Sequence, residues 1–189
     1  MLPMVTINVA MSLNGKISSE NGRYTISDAD DMERVLSLRK SVDAVLIGAN
    51  TVIMDDPVLH YSKRRIVLDG EFKLSDKYKI FDGSVKTYIV SRKNKHIKNA
   101  QTVIVNDTEI RGIMEKLYSL GIKSVLVEGG VQVINEFLDA NLFDQFFVYI
   151  DPGLILSGKS LFPTADRRME YKVEQCHRGI LLSIKSIYI

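Results

Sequence analysis

The 189-residue sequence contains a single cysteine, Cys176, and only three histidines. An intrachain disulfide and a cysteine-based metal cluster are therefore excluded, since both need at least two thiols. His60, His96 and His177 are scattered without metal-ligand spacing, so we predict no metal site. A lone cysteine near a strand is typical of a small packing residue rather than of a nucleophile.

An excess of one charge is also absent, because 25 basic residues are nearly balanced by 23 acidic ones, which gives a formal net charge of +2. Nucleic-acid binding has little support at this charge, and the basic residues occur in short clusters that are typical of a solvated surface. No apolar run is long enough to cross a bilayer. The first residues also lack the charged start and long apolar run of a signal peptide. We therefore expect a soluble cytoplasmic protein that binds neither membranes nor nucleic acid.

What the sequence does contain is the alternation of an α/β protein, in one domain spanning residues 1–189. Strands are predicted at 4–11, 42–47, 65–68, 85–90, 101–105, 124–127, 145–150 and 181–189, and helices at 28–40, 109–120 and 131–140. Ser27 is the predicted cap of the first helix. The last strand partly alternates, as an antiparallel strand at a sheet edge does. The predicted fold is a three-layer α/β sandwich with a mixed, mostly parallel central sheet.

Ligands of open α/β sheets bind beyond the carboxyl ends of the strands, so the residues that follow each strand are candidate site residues. Glu128-Gly129-Gly130 follows one strand and leads directly into a helix. The free N–H groups of a helix start bind anions, and glycine lets a phosphate approach the backbone. The alternative is a tight strand-to-helix turn with Glu128 in water, and this segment alone does not decide between the two.

Three further segments follow predicted strands. Thr51 and Asp55 share a face if their stretch is a helical turn, where they can bind a ribose or an amide; the alternative is that they cap the turn. Ser91 and Arg92 are placed to meet the 2′-phosphate of NADPH, or they belong to a solvated basic loop. Asn14-Gly15 predicts a β-turn, which does not preclude Lys16 from reaching a substrate.

The chain has no G-x-S-x-G elbow and no obvious Ser/His/Asp set. The glycine-rich, carboxylate-poor strand ends favour the binding of a cofactor over nucleophilic attack on a bond.

Together, five segments resemble the riboflavin-biosynthesis reductase family. This family occurs as a stand-alone archaeal and fungal enzyme and as the C-terminal half of a bacterial deaminase–reductase. The segments are VAMSLNGKIS (9–18), LRKSVDAVLIGANTVIMDDPVL (38–59), RIVLDG (65–70), LVEGGVQVINEFLDANLFDQ (126–145) and VYIDPGLILSGKS (148–160). The combination of T-x-x-x-D-D-P with the later E-G-G carries the resemblance. The zinc motif of the deaminase half is absent, so the chain resembles the stand-alone type.

The resemblance implies a fold like that of dihydrofolate reductase and a homodimer. It also implies reduction of 2,5-diamino-6-(ribosylamino)pyrimidinone 5′-phosphate to its ribitylamino form, with NADPH, or alternatively NADH, as the cofactor. Together with the strand-end argument for Ser91 and Arg92, it predicts cofactor contacts at Ala10, Thr51, Asp55, Gly70, Ser91, Arg92, Gly129, Gly130, Val131, Gln132, Val133 and Ile134. The implied substrate contacts are Tyr24, Ser27, Arg39, Leu59, Lys63 and Glu128, and the candidate proton donors are Glu128 and Lys16.

Three positions depart from the family pattern. Asn14 stands where Asp is usual, Asp151 stands where Ala is usual, and His60-Tyr61-Ser62 removes an Arg that contacts the substrate phosphate in the bacterial enzymes. Lys63 or Arg64 is the expected replacement for that Arg. Two alternative functions stay open at this point: a reductase of the same fold acting on a pterin or dihydrofolate, and a nucleotide-binding module without turnover.

Overall fold

The computed structural model describes residues 1–19, 25–106, 109–162 and 167–188. The strands are β1 (Met4–Ser12), β2 (Ala44–Gly48), β3 (Arg64–Leu68), β4 (Lys86–Ser91), β5 (Ala100–Ile104), β6 (Ser124–Val127), β7 (Gln145–Asp151), β8 (Arg168–Cys176) and β9 (Gly179–Tyr188). The helices are α1 (Ala29–Ser41), α2 (Ala49–Asp55), α3 (Ile110–Ser119) and α4 (Val131–Asp139), and a short 3-10 helix spans Lys79–Phe81.

The strands form one sheet in the order β5-β4-β3-β2-β6-β1-β7-β9-β8. All neighbours from β5 to β7 are parallel, whereas β9 runs antiparallel to both β7 and β8. The predicted mixed, mostly parallel sheet is therefore confirmed.

Both faces of the sheet are covered by packed side chains. On β2, Leu46 belongs to a core cluster with Met114 of α3 and Phe137 of α4. The next residue, Ile47, points to the other face and packs in a second cluster with Val52 of α2. This alternation explains why β2 reads as a continuous apolar run, since both of its faces are buried. The predicted three-layer arrangement is confirmed.

Two of the predictions for the end of the chain were incomplete or wrong. The strand β8 was not predicted, although Met169, Tyr171 and Val173 alternate with polar residues in its sequence RMEYKVEQC as they do in a strand; most of its residues are exposed. Strand β9 is antiparallel as predicted, but it is not at the sheet edge, because β8 pairs along its outer side.

The predicted cap of the first helix was also wrong. Asp28 is the N-cap of α1, and its carboxylate accepts a hydrogen bond from the N–H of Asp31 at 2.9 Å. Asp is as good a cap as Ser, so the sequence offered two adjacent candidates. Ser27 instead lies on the wall of the cleft described below.

Candidate active site

A large cleft lies where the parallel strands β4, β3, β2, β6 and β1 end. Its volume is about 1780 Å³, whereas a pocket for one drug-sized molecule has roughly 300–1000 Å³. The cleft therefore has room for a dinucleotide and a second small molecule. The predicted residues that line it are Ala10, Ser27, Arg39, Thr51, Asp55, Gly70, Arg92, Glu128, Gly130, Val131, Gln132, Val133 and Ile134.

The turn between β6 and α4 uses its two glycines for different reasons. A Cβ on Gly129 would lie 2.6 Å from Cβ and 2.8 Å from Cα of Ile47, so this residue lets the turn pass against β2. Gly130 has φ = 72° and is the N-cap of α4, without a side-chain cap. A Cβ on Gly130 would approach Thr51 Oγ1 to 3.0 Å on the wall of the cleft. Of the two glycines, only Gly130 lines the cleft.

The first turn of α4 presents Val131, Gln132 and Val133 to the cleft. The N–H groups of a first turn have no partners within the helix, and the helix dipole places partial positive charge there. The absence of a side-chain cap at Gly130 leaves these groups accessible to a ligand. The geometry thus matches an anion-binding helix start.

Glu128 and Arg39 form a bidentate ion pair, and both residues line the cleft. Arg39 Nε donates to Glu128 Oε1 at 2.8 Å, and Arg39 Nη2 donates to Oε2 at 2.7 Å. The side chains are only 16% and 8% exposed, respectively, so water competes weakly for the pair. This planar fork fixes the direction of the carboxylate, while its remaining lone pairs can accept hydrogen bonds from a ligand.

The helical turn proposed for Thr51 and Asp55 exists as α2, and both residues line the cleft. The C-cap of α2 is Asp56, with φ = 41° and its N–H bonded to the carbonyl of Val52. The Asp56 carboxylate accepts from the N–H of Lys79 at 2.7 Å, and this hydrogen bond lowers the pKa of the Asp56 carboxyl. The capping role is therefore filled by Asp56, and Asp55 faces the cleft.

Ser91 and Arg92 are placed differently from each other. Ser91 is fully buried, and its hydroxyl donates to the carbonyl of Gly70 at 3.2 Å and accepts from the N–H of Lys93 at 3.1 Å. Its hydroxyl therefore joins the loops that follow β3 and β4. Arg92 lines the cleft, where it is paired with Glu71.

Four other predicted site residues do not line the cleft. Lys16 donates from Nζ to Ser160 Oγ at 2.9 Å on the Asn14-Gly15 turn, outside the cleft wall. Leu59 is buried in the second core cluster, and Gly129 packs on β2. Lys63 is exposed to solvent and is not among the residues that line the cleft. Tyr24 lies outside the described residues.

Several lining residues were not predicted. Asn8 accepts a hydrogen bond from Arg34 at 2.7 Å, and Asp69 and Glu71 follow β3. The strand-end rule covers Asp69 and Glu71 directly, since they come after the apolar run that ends at Leu68. Lys159 reaches the cleft from a loop far along the chain. It does not directly follow a strand, so the strand-end rule does not predict it.

The structure gives a reason for Asn14. Its amide Nδ2 donates to the carbonyl of Ile155 at 2.8 Å, and its Oδ1 accepts from the N–H of Ile155 at 3.1 Å. A carboxylate cannot donate to that carbonyl. Asn14 therefore fastens the turn to the loop that follows β7.

Asp151 is buried beside Arg178, with Arg178 Nη2 at 2.6 Å from its Oδ2. In the part of the chain that is described, no three His, Cys, Asp or Glu side chains come together as metal ligands do. Within the same ranges, no helix combines the length and apolar character that a membrane span requires. Burial raises the pKa of the Cys176 thiol, which fits a packing role rather than a nucleophilic one.

Residues 3–182 match the family described as RibD C-terminal domain. A protein of Methanothermobacter thermautotrophicus named 2,5-diamino-6-ribosylamino-4(3H)-pyrimidinone 5′-phosphate reductase is 28% identical, over 100% of this chain and 94% of its own length. A protein of Archaeoglobus fulgidus with the same name is 32% identical, over 82% of this chain and 83% of its own.

Solved structures are similar to the whole fold. A deaminase/reductase from Thermotoga maritima superposes with a TM-score of 0.84 at 26% identity, over 97% of this chain and 56% of its own. The riboflavin biosynthesis reductase of Saccharomyces cerevisiae superposes with a TM-score of 0.85 at 24% identity, over 97% and 90% of the two chains. These similarities confirm the predicted dihydrofolate-reductase-like fold class.

Proposed function

The chain belongs to the RibD C-terminal domain family, and on this basis we propose that it reduces 2,5-diamino-6-(ribosylamino)pyrimidinone 5′-phosphate with NADPH. The product is the ribitylamino compound of riboflavin biosynthesis. The observation that carries the proposal is the single cleft that joins an uncapped helix start to the Arg39–Glu128 pair. We further propose a cytoplasmic homodimer, as the family resemblance implies.

The residues of the cleft fit a reduced nicotinamide dinucleotide. Gly130 and the first turn of α4 offer backbone N–H groups to a pyrophosphate, because the N-cap Gly130 has no side chain that could bond to them. Thr51 lies against Gly130, and Ala10, two residues before the end of β1, presents only a methyl group. We assign Ala10, Thr51 and Asp55 to the nicotinamide side, where a flat ring needs small neighbours and hydrogen-bonding groups.

The second half of the cleft is assigned to the sugar phosphate. Glu128 is fixed by Arg39 and can accept hydrogen bonds from sugar hydroxyl groups. Ser27 and Lys159 also line the cleft, and we assign the Lys159 cation to the phosphate. Lys159 thus replaces Lys63, which lies outside the cleft, as our candidate for the role of the missing Arg.

The chemistry asked of the protein is mainly positioning. The ribosylamino sugar opens to an imine, hydride adds to C1′, and a proton adds to the nitrogen, which gives the ribityl chain. NADPH supplies the hydride when it is bound. The side chains would have to hold C1′ of the sugar about 3–3.5 Å from C4 of the nicotinamide and exclude water. Of the two proton-donor candidates only Glu128 lines the cleft, so we assign it the positioning of the sugar nitrogen and its proton.

The test is a turnover assay with purified protein, NADPH and the ribosylamino substrate, followed at the nicotinamide absorbance band. We expect oxidation with this substrate and none with dihydrofolate. Glu128→Gln should lower kcat/KM at least about tenfold, since a hydrogen bond to a charged group is worth roughly 1.5–3 kcal/mol. Glu174→Gln makes the same charge change on the exposed edge strand β8 and should leave kcat/KM unchanged.

Two outcomes would contradict the proposal. Oxidation with dihydrofolate in place of the ribosylamino compound would favour the pterin-type reductase. Thermal stabilisation by NADPH without oxidation under either substrate would favour a nucleotide-binding module.

A further inference from the structure

The loop that follows β3 holds Glu71 in a fixed place at one end of the cleft. Asp69 is buried, and its two carboxylate oxygens accept from the N–H groups of Lys73 and Leu74, each at 2.9 Å. The N–H of Phe72 also donates to the carbonyl of Asp69 at 2.9 Å, which closes a turn around Glu71. Glu71 lines the cleft from this turn.

The loop that follows β4 is fastened against the same turn. The N–H of Arg92 donates to the carbonyl of Gly70 at 3.2 Å, beside the hydrogen bond from the Ser91 hydroxyl to the same oxygen. The side chains of Arg92 and Lys93 are therefore brought to Glu71 by the backbone and not only by their own charge.

Glu71 uses both of its carboxylate oxygens on these two cations. Oε1 pairs with Arg92 Nη2, and Oε2 lies 2.9 Å from Lys93 Nζ. The three side chains are about half exposed, at 44%, 50% and 48% for Glu71, Arg92 and Lys93. A ligand can therefore reach them, and the carboxylate cancels one of the two positive charges that a phosphate would meet.

This arrangement bears on the two forms of the cofactor, which differ only at the ribose 2′ position. A 2′-phosphate carries close to two negative charges and would have to displace the Glu71 carboxylate from Arg92 and Lys93. A free 2′-hydroxyl can donate a hydrogen bond, and a carboxylate can accept it. Arg92 and Lys93 alone would favour the phosphate, whereas Glu71 opposes it.

Resting on the proposed function, we propose that Glu71 determines the specificity between the two cofactors. Its carboxylate competes with the 2′-phosphate for Arg92 and Lys93 and accepts a hydrogen bond from a free 2′-hydroxyl. Glu71 thereby narrows the preference for NADPH and gives NADH access to the same site.

The experiment measures dissociation constants for NADP⁺ and NAD⁺ by titration calorimetry, so that no turnover is needed. The proteins are the wild type, Glu71→Gln and Glu174→Gln, which removes the same charge from the opposite edge of the sheet. Glu71→Gln should tighten NADP⁺ binding about tenfold, the order of one charge-assisted contact, and weaken NAD⁺ binding. Glu174→Gln should leave the ratio of the two constants as in the wild type.

A failure of the proposed function and a failure of the role of Glu71 would give different results in this experiment. A wild type that binds neither dinucleotide would overturn the proposed function itself. Binding of both by the wild type, with a ratio that Glu71→Gln leaves unchanged, would overturn only the role of Glu71. A fall in the affinity for NADP⁺ would do the same, since it would mean that Glu71 supports the 2′-phosphate.

Discussion

At the scale of single residues, Asp28 connects more of the chain than its place as a helix cap requires. Its Oδ1 accepts from the N–H of Asp31, while Oδ2 accepts from the Tyr149 hydroxyl at 2.8 Å and lies 3.1 Å from Nδ1 of His177. Burial alone would raise the pKa of this carboxyl, but these partners outweigh it and hold the pKa well below its usual range. The charged form of Asp28 is therefore the form that the fold stabilises.

A lowered carboxyl pKa makes the stability depend on pH in a defined direction. The contribution of Asp28 is fully present above its ordinary pKa of 3.8 and is lost as the pH falls through the lower value of the folded state. Asp28→Asn keeps a capping side chain but removes the charge. We expect the variant to be less stable than the wild type at pH 7, and the difference to narrow as the pH falls below about 4.

Urea denaturation at several pH values between 2 and 7 measures this difference. Asp30→Asn is the matched control, because it is the same substitution at an exposed position in the same first turn. A gap between wild type and Asp28→Asn that stays constant over this pH range would contradict the assignment.

Among the predicted site residues, those that a strand end or a motif marked are the ones whose position in the cleft could be expected from the sequence. Thr51, Asp55 and Glu128 reach the cleft as expected, because a strand end fixes where the next residues lie. Lys16 follows β1 and Ser91 is the last residue of β4, but their side chains bond within the fold. The direction of a side chain depends on partners such as Ser160, which is distant in sequence, so the local pattern does not contain it.

At the scale of elements, the close contact of α4 with β2 depends on two glycines, which have no side chain. A Cβ on Gly48 would meet only Cγ2 of Val133 at 2.8 Å, which is the end of a side chain. A Cβ on Gly129 would meet Cα of Ile47 at the same distance, and backbone in a central strand cannot move aside. Gly129 is therefore the position at which the helix start would be forced away from the sheet.

We expect Gly129→Ala to lower the free energy of unfolding by about 1–3 kcal/mol, as overpacking does. Gly112→Ala is the matched control. Gly112 lies inside α3 with nothing within 4 Å of an added Cβ, so alanine there should stabilise by about 0.5–1 kcal/mol. Chemical denaturation measures both changes, and a Gly129→Ala variant as stable as the wild type would show that the turn can shift freely.

Element-scale prediction worked best for apolar strands and worst for the outer hairpin. The bounds of β6 were predicted to the residue, since its buried run ends sharply at Glu128. Met169, Tyr171 and Val173 alternate as strand residues do, but this pattern is short and lies among charged residues, which weakens it as a signal, and strand β8 was missed. The position of β9 could not be assigned without its outer neighbour, which explains why it was placed at the edge.

At the scale of the whole molecule, one cleft lies at the ends of five strands and is large enough for two ligands. The helix start of α4 and the Arg39–Glu128 pair lie along it, so a dinucleotide and a sugar phosphate should bind together and not in competition. NADP⁺ and ribose 5-phosphate together should raise the melting temperature more than either alone. Each ligand at 100 times its dissociation constant stabilises by about 2.7 kcal/mol.

Thermal denaturation with each ligand, with both, and with inorganic phosphate in place of the sugar phosphate measures this effect. Mutual displacement of NADP⁺ and ribose 5-phosphate would show that the cleft holds one ligand at a time.

The tip of the β8–β9 hairpin has a consequence for how the protein is made. His177 reaches Asp28 and Arg178 donates to the carbonyl of Ile26 at 3.2 Å, across 149 and 152 positions of the chain. Ile26 and Ser27 form part of the cleft wall. On a translating ribosome this wall stays without these two contacts until residue 178 has left the exit tunnel, so a nascent chain gains a fully braced ligand site only after β1 to β8 have emerged.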